Sequence, residues 1–129
     1  MTEKRKSRLI EIAKSLSYKR EGRCLHFSFI LKNNQLLVTS VNSYTKPHLE
    51  NRFGPYHSFK GRNDNYIAGQ HSETIAIRDY INKFGNNDFT GLTLFNVRLS
   101  KTGDAMLAKP CKNCERLLNS FNFKKIDWT

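Results

Sequence analysis

Two short motifs constrain this chain more than anything else in it: His71, Ser72, Glu73, and then Pro110, Cys111, Lys112, Asn113, Cys114. One histidine and two cysteines can fill three corners of a zinc tetrahedron and leave the fourth free, which is the arrangement of a catalytic metal site and not of a closed structural one. Glu73 adds a carboxylate that need not bind the metal and is available to move protons. An H-x-E triplet arises readily by chance in a chain with four His and eleven acidic residues. P-C-x-x-C does not: with three Pro and three Cys in 129 residues, its random occurrence is expected in roughly one such chain in a thousand. A thioredoxin-like redox pair would carry its proline between the cysteines and lie close behind an early strand, and neither holds here.

The pattern of apolar residues places these motifs on helices. Leu9, Ile12, Ala13 and Leu16 share one helical face, predicting an amphipathic helix over residues 5–19 whose other face is basic. Leu25, Phe27, Phe29 and Leu31 alternate, and a second apolar run covers 35–41, so the two form a hairpin turning at Asn33 and Asn34. Between Asn42 and Gln70 periodicity gives way to Pro47, Gly54, Pro55, Gly61 and Gly69, the mark of a long loop. Helical spacing returns with Ile77, Tyr80, Ile81 and Phe84, and Gly85 suits the C-terminal cap. The H-x-E motif therefore opens a helix.

Leu92 to Leu99 reads as a third strand, 101–104 as a turn, and Cys114, Leu117, Leu118 and Phe121 as the buried face of a helix that P-C-x-x-C opens, with Pro110 in its first turn. Free amides at that helix start and the helix dipole favour both sulfurs as thiolates. Ile126 to Trp128 begins a fourth strand. The length fits one domain, 1–129, with a basic N-terminal segment 1–23 and the long loop 43–70.

Lys and Arg number 22 against 11 Asp and Glu, a formal net charge of +11, and residues 1–23 hold eight basic residues against three acidic ones. That excess suits a polyanionic partner or a phosphorylated small molecule, and it equally serves solubility. No apolar run approaches a membrane span and the chain opens on charged residues, so a soluble protein of the cytoplasm is expected. Three cysteines, two committed to a metal, fit a reducing compartment, with Cys24 a free thiol.

Helix, hairpin, helix with H-x-E, strand, helix with P-C-x-x-C, strand: from about Leu25 to Trp128 this order resembles the cytidine deaminase-like superfamily. The resemblance implies a three-layer α/β/α domain around a mixed sheet of four or five strands. It implies that His71, Cys111 and Cys114 bind zinc, and that Glu73 takes a proton from the attacking water and passes it to the substrate. A histidine as first ligand is similar to the deoxycytidylate, tRNA and polynucleotide branches. Asn42, in Ser40, Val41, Asn42, is similar to the G-x-N asparagine that contacts substrate in the tRNA and deoxycytidylate enzymes. Ala108 and Lys109, ahead of Pro110, occupy the position where polynucleotide enzymes carry an aromatic-serine pair and tRNA enzymes a glutamate. They match neither.

The implied activity is hydrolytic deamination of a nucleobase, with cytosine to uracil the expected conversion. The expected substrate is a single-stranded nucleic acid, with a free pyrimidine nucleotide as the alternative. In a single-stranded nucleic acid, Arg52, Tyr56, His57 and Phe59 of the long loop, mixed with Phe53, Lys60 and Arg62, would stack bases and neutralise phosphates beside the basic first helix. For a free pyrimidine nucleotide, one or two loop cations would hold the phosphate. The same loop aromatics could instead pin the loop to the core. A non-catalytic nucleic-acid-binding or assembly protein fits the charge but has no need of Glu73 beside an open metal site. The chain stops where family members continue to a fifth strand, so an exposed strand edge and self-association are expected.

Overall fold

A computed structural model of the chain describes residues 1–17, 25–42 and 71–129. Two alternating strands form its centre. In β1 (Leu25–Lys32) and β3 (Leu92–Leu99), which pair antiparallel over their full length, odd-numbered residues face one side and even-numbered residues the other. The order across the sheet is β2-β1-β3, with β2 (Gln35–Val41) antiparallel to β1. The far side of β3 carries β4 (Ala105–Met106), antiparallel beside Arg98 and Leu99, and β5 (Lys125–Trp128), parallel beside residues Thr93–Asn96. The sheet is thus mixed and five-stranded. Its fifth strand is the two-residue β4, which lies before the P-C-x-x-C motif and not after the last strand.

The hairpin turns at Asn33 and Asn34, and Asn33 takes the left-handed backbone (φ 54°) that asparagine tolerates better than most residues. Helix α1 (Glu3–Leu16), capped by the Thr2 side chain, covers one face of the sheet. Leu9 and Ala13 pack there on Leu25, Phe27, Phe29, Leu31, Phe95, Val97 and Leu99. Leu16, assigned to that apolar face from its spacing, is instead 48% exposed at the last turn of the helix.

On the other face lie α2 (Ser72–Phe84) and α3 (Lys112–Asn119). Ala76, Ile77, Tyr80, Leu117 and Leu118 meet Ile30, Val38, Leu92 and Leu94. Phe89 lies among the rings of Tyr80, Phe121 and Phe123, with centroids 4.8, 4.7 and 4.9 Å away. Phe84 departs from the expected stripe: it is 40% exposed, because the buried face of α2 runs through Glu73, Ala76, Ile77 and Tyr80. Gly85 caps α2 in the left-handed conformation, as its position implies. Helices on both faces of a mixed sheet give the expected α/β/α layering. Among the described residues no helix is long and apolar enough to cross a membrane.

The ends of the sheet differ in character. Lys6 pairs at 3.0 Å with Asp127, which lies beside Phe95 in the middle of β3, whereas Arg5 Nη1 donates to the Asn33 carbonyl at 2.9 Å at the hairpin-turn end. His26 lies six residues back along β1, roughly 20 Å away. At that opposite end, α2 and α3 bring their N-termini together.

Candidate metal centre and its carboxylate clamp

His71 and Cys111 are the N-cap residues of α2 and α3. Capping explains why both motifs sit where they do: extended backbone at each cap turns the side chain across the helix start, and the Cys111 sulfur accepts from the Cys114 N–H at 3.4 Å. Pro110 lies one residue before that cap, buried, and not within the first turn as its type suggested. The His71 Nδ1 atom is 3.3 Å from the Cys114 Sγ and 3.7 Å from the Cys111 Sγ. Zinc–nitrogen and zinc–sulfur bonds of ordinary length, set at the tetrahedral angle, put such atoms about 3.6 Å apart. All three ligand atoms lie within 4.8 Å of one another. The donor set therefore fits a zinc ion, with a fourth position left over.

The electrostatics suit a cation. A hydrogen bond from Cys114 holds the Cys111 sulfur as thiolate against the cost of burial, and with His71 and the backbone N–H it brings the Cys111 pKa down to about 4. Cys114 keeps its proton to a pH well above the usual thiol value, through that same hydrogen bond and its own burial. The site thus offers one thiolate already formed and one thiol whose proton a metal must displace.

Glu73, the second residue of α2, is 4% exposed, and burial raises its carboxyl above the ordinary value. Both of its oxygens are held. Asn96 Nδ2 donates to Oε2 at 3.2 Å, and Ser72 Oγ donates to Oε1 at 3.2 Å. The second Asn96 amide proton reaches the Ala108 carbonyl at 3.4 Å, and the Asn96 oxygen accepts from Ser28 at 2.6 Å. Ser28 and Ser72 hydroxyls lie 2.7 Å apart, closing a ring of side chains around the carboxylate. Ser40 ties β2 to it by donating to the Ser72 carbonyl at 2.7 Å.

Ser28, Ser40, Ser72 and Asn96 carried no weight in the motif reading, and the sequence did hold a signal for them. On the α2 side of the sheet, β1 reads Ile30, Ser28, His26 and β3 reads Leu94, Asn96, Arg98. The same alternating position changes from apolar to polar along each strand. A polar residue at a buried strand position needs a partner, and here the partner is Glu73.

Of the substrate candidates, Asn42 ends β2: its N–H donates to the His26 carbonyl and its Oδ1 accepts from the His26 N–H, both at 3.0 Å. Ala108 is buried, its carbonyl on Asn96, while Lys109 is exposed. Arg52, Tyr56, His57 and Phe59 lie outside the described residues, as does Cys24.

No family model and no curated protein sequence matches the chain. Solved structures do. Guanine deaminase from Bacillus subtilis matches with a TM-score of 0.54 at 12% identity, over all of this chain and 64% of that one. The dCMP deaminase of cyanophage S-TIM5, solved with dCMP and dUMP, matches with a TM-score of 0.54 at 19% identity, over all of this chain and 85% of that one. The chain has the cytidine deaminase-like fold. It spans just under two thirds of the guanine deaminase, and in this fold the His71, Cys111, Cys114 set and the clamped Glu73 share the α2–α3 end of the sheet.

Proposed function

We propose that this protein is a zinc-dependent hydrolytic deaminase that converts cytosine to uracil in a free pyrimidine nucleotide. The observation that carries the reading is the buried, doubly held Glu73 carboxylate next to a three-ligand donor set. His71, Cys111 and Cys114 would hold the zinc. When bound there, zinc lowers the pKa of a water in the fourth position, supplying a nucleophile near neutral pH.

Glu73 does the proton work. It takes the proton shed as oxygen adds to C4 of the base, gives it to the ring nitrogen, and carries the second proton to the departing amine, which leaves as ammonia. A carboxyl whose pKa is raised by burial is suited to both directions of transfer. Asn96 and Ser72 keep the carboxylate from swinging away between the two steps.

The match to a dCMP deaminase over 85% of its length supports a pyrimidine nucleotide. The net charge of +11 favours a second reading, cytosine within single-stranded nucleic acid. Against it, Arg5 of α1 is tied to the hairpin turn at the opposite end of the sheet, and Lys6 is paired with Asp127 beside Phe95 on the α1 side, so neither extends a groove from the metal centre.

The test is mass-spectrometric detection of deamination by zinc-loaded protein given dCMP and a mixed-sequence single-stranded oligonucleotide together, with Glu73→Gln as control. Conversion of dCMP that Glu73→Gln loses by at least a hundredfold supports the nucleotide reading. Conversion confined to the oligonucleotide replaces it with the polymer reading. No conversion of either, with zinc bound, overturns the deaminase.

A further inference from the structure

The polar face of the sheet continues past the Glu73 clamp. Register pairs Ser28 with Asn96 and, one step nearer the strand ends, His26 with Arg98. The clamp uses the first pair and not the second. The Nε of Arg98 is buried and has no hydrogen-bond partner, the one such side-chain atom among the described residues. Nor does Arg98 take part in any of the five ion pairs found there.

Its neighbour does not balance the charge. Burial, then the charges of Arg98 and His71, hold the His26 imidazole neutral, with its pKa down at about 4. Strand register sets the His26–Arg98 pair one alternating step, roughly 7 Å, from Ser28 and Asn96, and Asn96 holds Glu73. A guanidinium drawn partly out of water without an anion is costly, so its position calls for a ligand that supplies one.

We propose that Arg98, with His26 beside it, receives the 5′-phosphate of the nucleotide whose base enters the Glu73 pocket. The inference rests on the deaminase reading and assigns the residues that would hold the phosphate of its nucleotide. A guanidinium offers pairs of parallel donors that fit two phosphate oxygens, and the His26 imidazole adds a further N–H. Arg98 lies roughly 7 Å along β3 from Asn96, the scale of the sugar that separates a base from its phosphate.

Equilibrium binding of dUMP and deoxyuridine to zinc-loaded wild type, Arg98→Met and Arg98→Lys tests it, alongside kcat/KM for dCMP and deoxycytidine. Wild type should bind dUMP at least about tenfold tighter than deoxyuridine. Arg98→Met should bring that ratio close to one while leaving deoxyuridine affinity and zinc content unchanged, and Arg98→Lys should restore part of it. Equal losses for both ligands would make Arg98 a shaping residue and overturn the proposal. So would a wild type that deaminates dCMP and deoxycytidine equally well, an outcome that leaves the deaminase standing. A trinucleotide with central cytosine is the third arm: if Arg98→Met weakens it and spares dUMP, the phosphate belongs to a polymer and the monophosphate assignment falls. If wild type neither binds nor converts any of these, the deaminase reading fails and takes the inference with it.

Discussion

Replacing Asn96 puts the clamp to its sharpest test. Asn96→Ala removes the donor to Glu73 Oε2, the donor to the Ala108 carbonyl and the acceptor for Ser28. The first is a bond to a carboxylate, worth about 1.5–3 kcal/mol, and the other two about 0.5–1.5 kcal/mol each. The three are coupled, so a total near 3 kcal/mol is expected, a fall of roughly 10 °C in Tm for a chain of this size. About 2 kcal/mol of that is orientation of Glu73, which lowers kcat about thirtyfold with KM little changed. Asn96→Asp separates positioning from stability. It keeps the volume but turns an acceptor toward Glu73 Oε2, so kcat should fall further than in Asn96→Ala. The assay is ammonia release from dCMP by zinc-loaded protein, with thermal unfolding followed by circular dichroism. An Asn96→Asp enzyme within threefold of wild-type kcat would refute the clamp.

Three further outcomes follow from the same structure. His71→Ala, Cys111→Ser and Cys114→Ser should each drop bound zinc well below one equivalent, measured by elemental mass spectrometry after dialysis. Zinc affinity should rise with pH, because the Cys114 proton, held to well above the ordinary thiol range, has to leave on binding; titration calorimetry in buffers of different ionisation enthalpy reads the released proton, and a pH-independent affinity would contradict the site. Phe89→Ala should cost about 3–5 kcal/mol in urea unfolding, since Phe89 is 1% exposed and touches three other rings.

How much of this was legible follows from which residues carry a period. Leu92–Leu99 and the turn at Asn33 and Asn34 were readable because alternation and turn chemistry are local. The metal donors were readable because few other roles need a proline and two cysteines so spaced. β4 was not, because two residues have no periodicity to show. Leu16 and Phe84 satisfied helical spacing yet stand at helix ends beyond the reach of the sheet. The Glu73 clamp was missed for a different reason. Ser28 and Asn96 lie 68 residues apart in sequence and meet only through strand pairing, although each interrupts an apolar strand.

The sheet is used differently on its two sides, and this bears on how the protein can change. On the α1 side every position of β1 and β3 from Leu25 to Leu31 and Phe95 to Leu99 that faces the helix is apolar and buried. On the α2 side the strands give up half of their core positions to Ser28, Asn96, His26 and Arg98. Cohesion is therefore concentrated behind the sheet and chemistry in front of it, with the strand backbones between them. Substitutions that retune the pocket can accumulate on even-numbered positions without thinning the packing that holds the strands. Repacking against α1 can raise the melting temperature without touching the pocket. Variation in specificity and variation in robustness are thus open to selection, or to an engineer, along separate sets of residues.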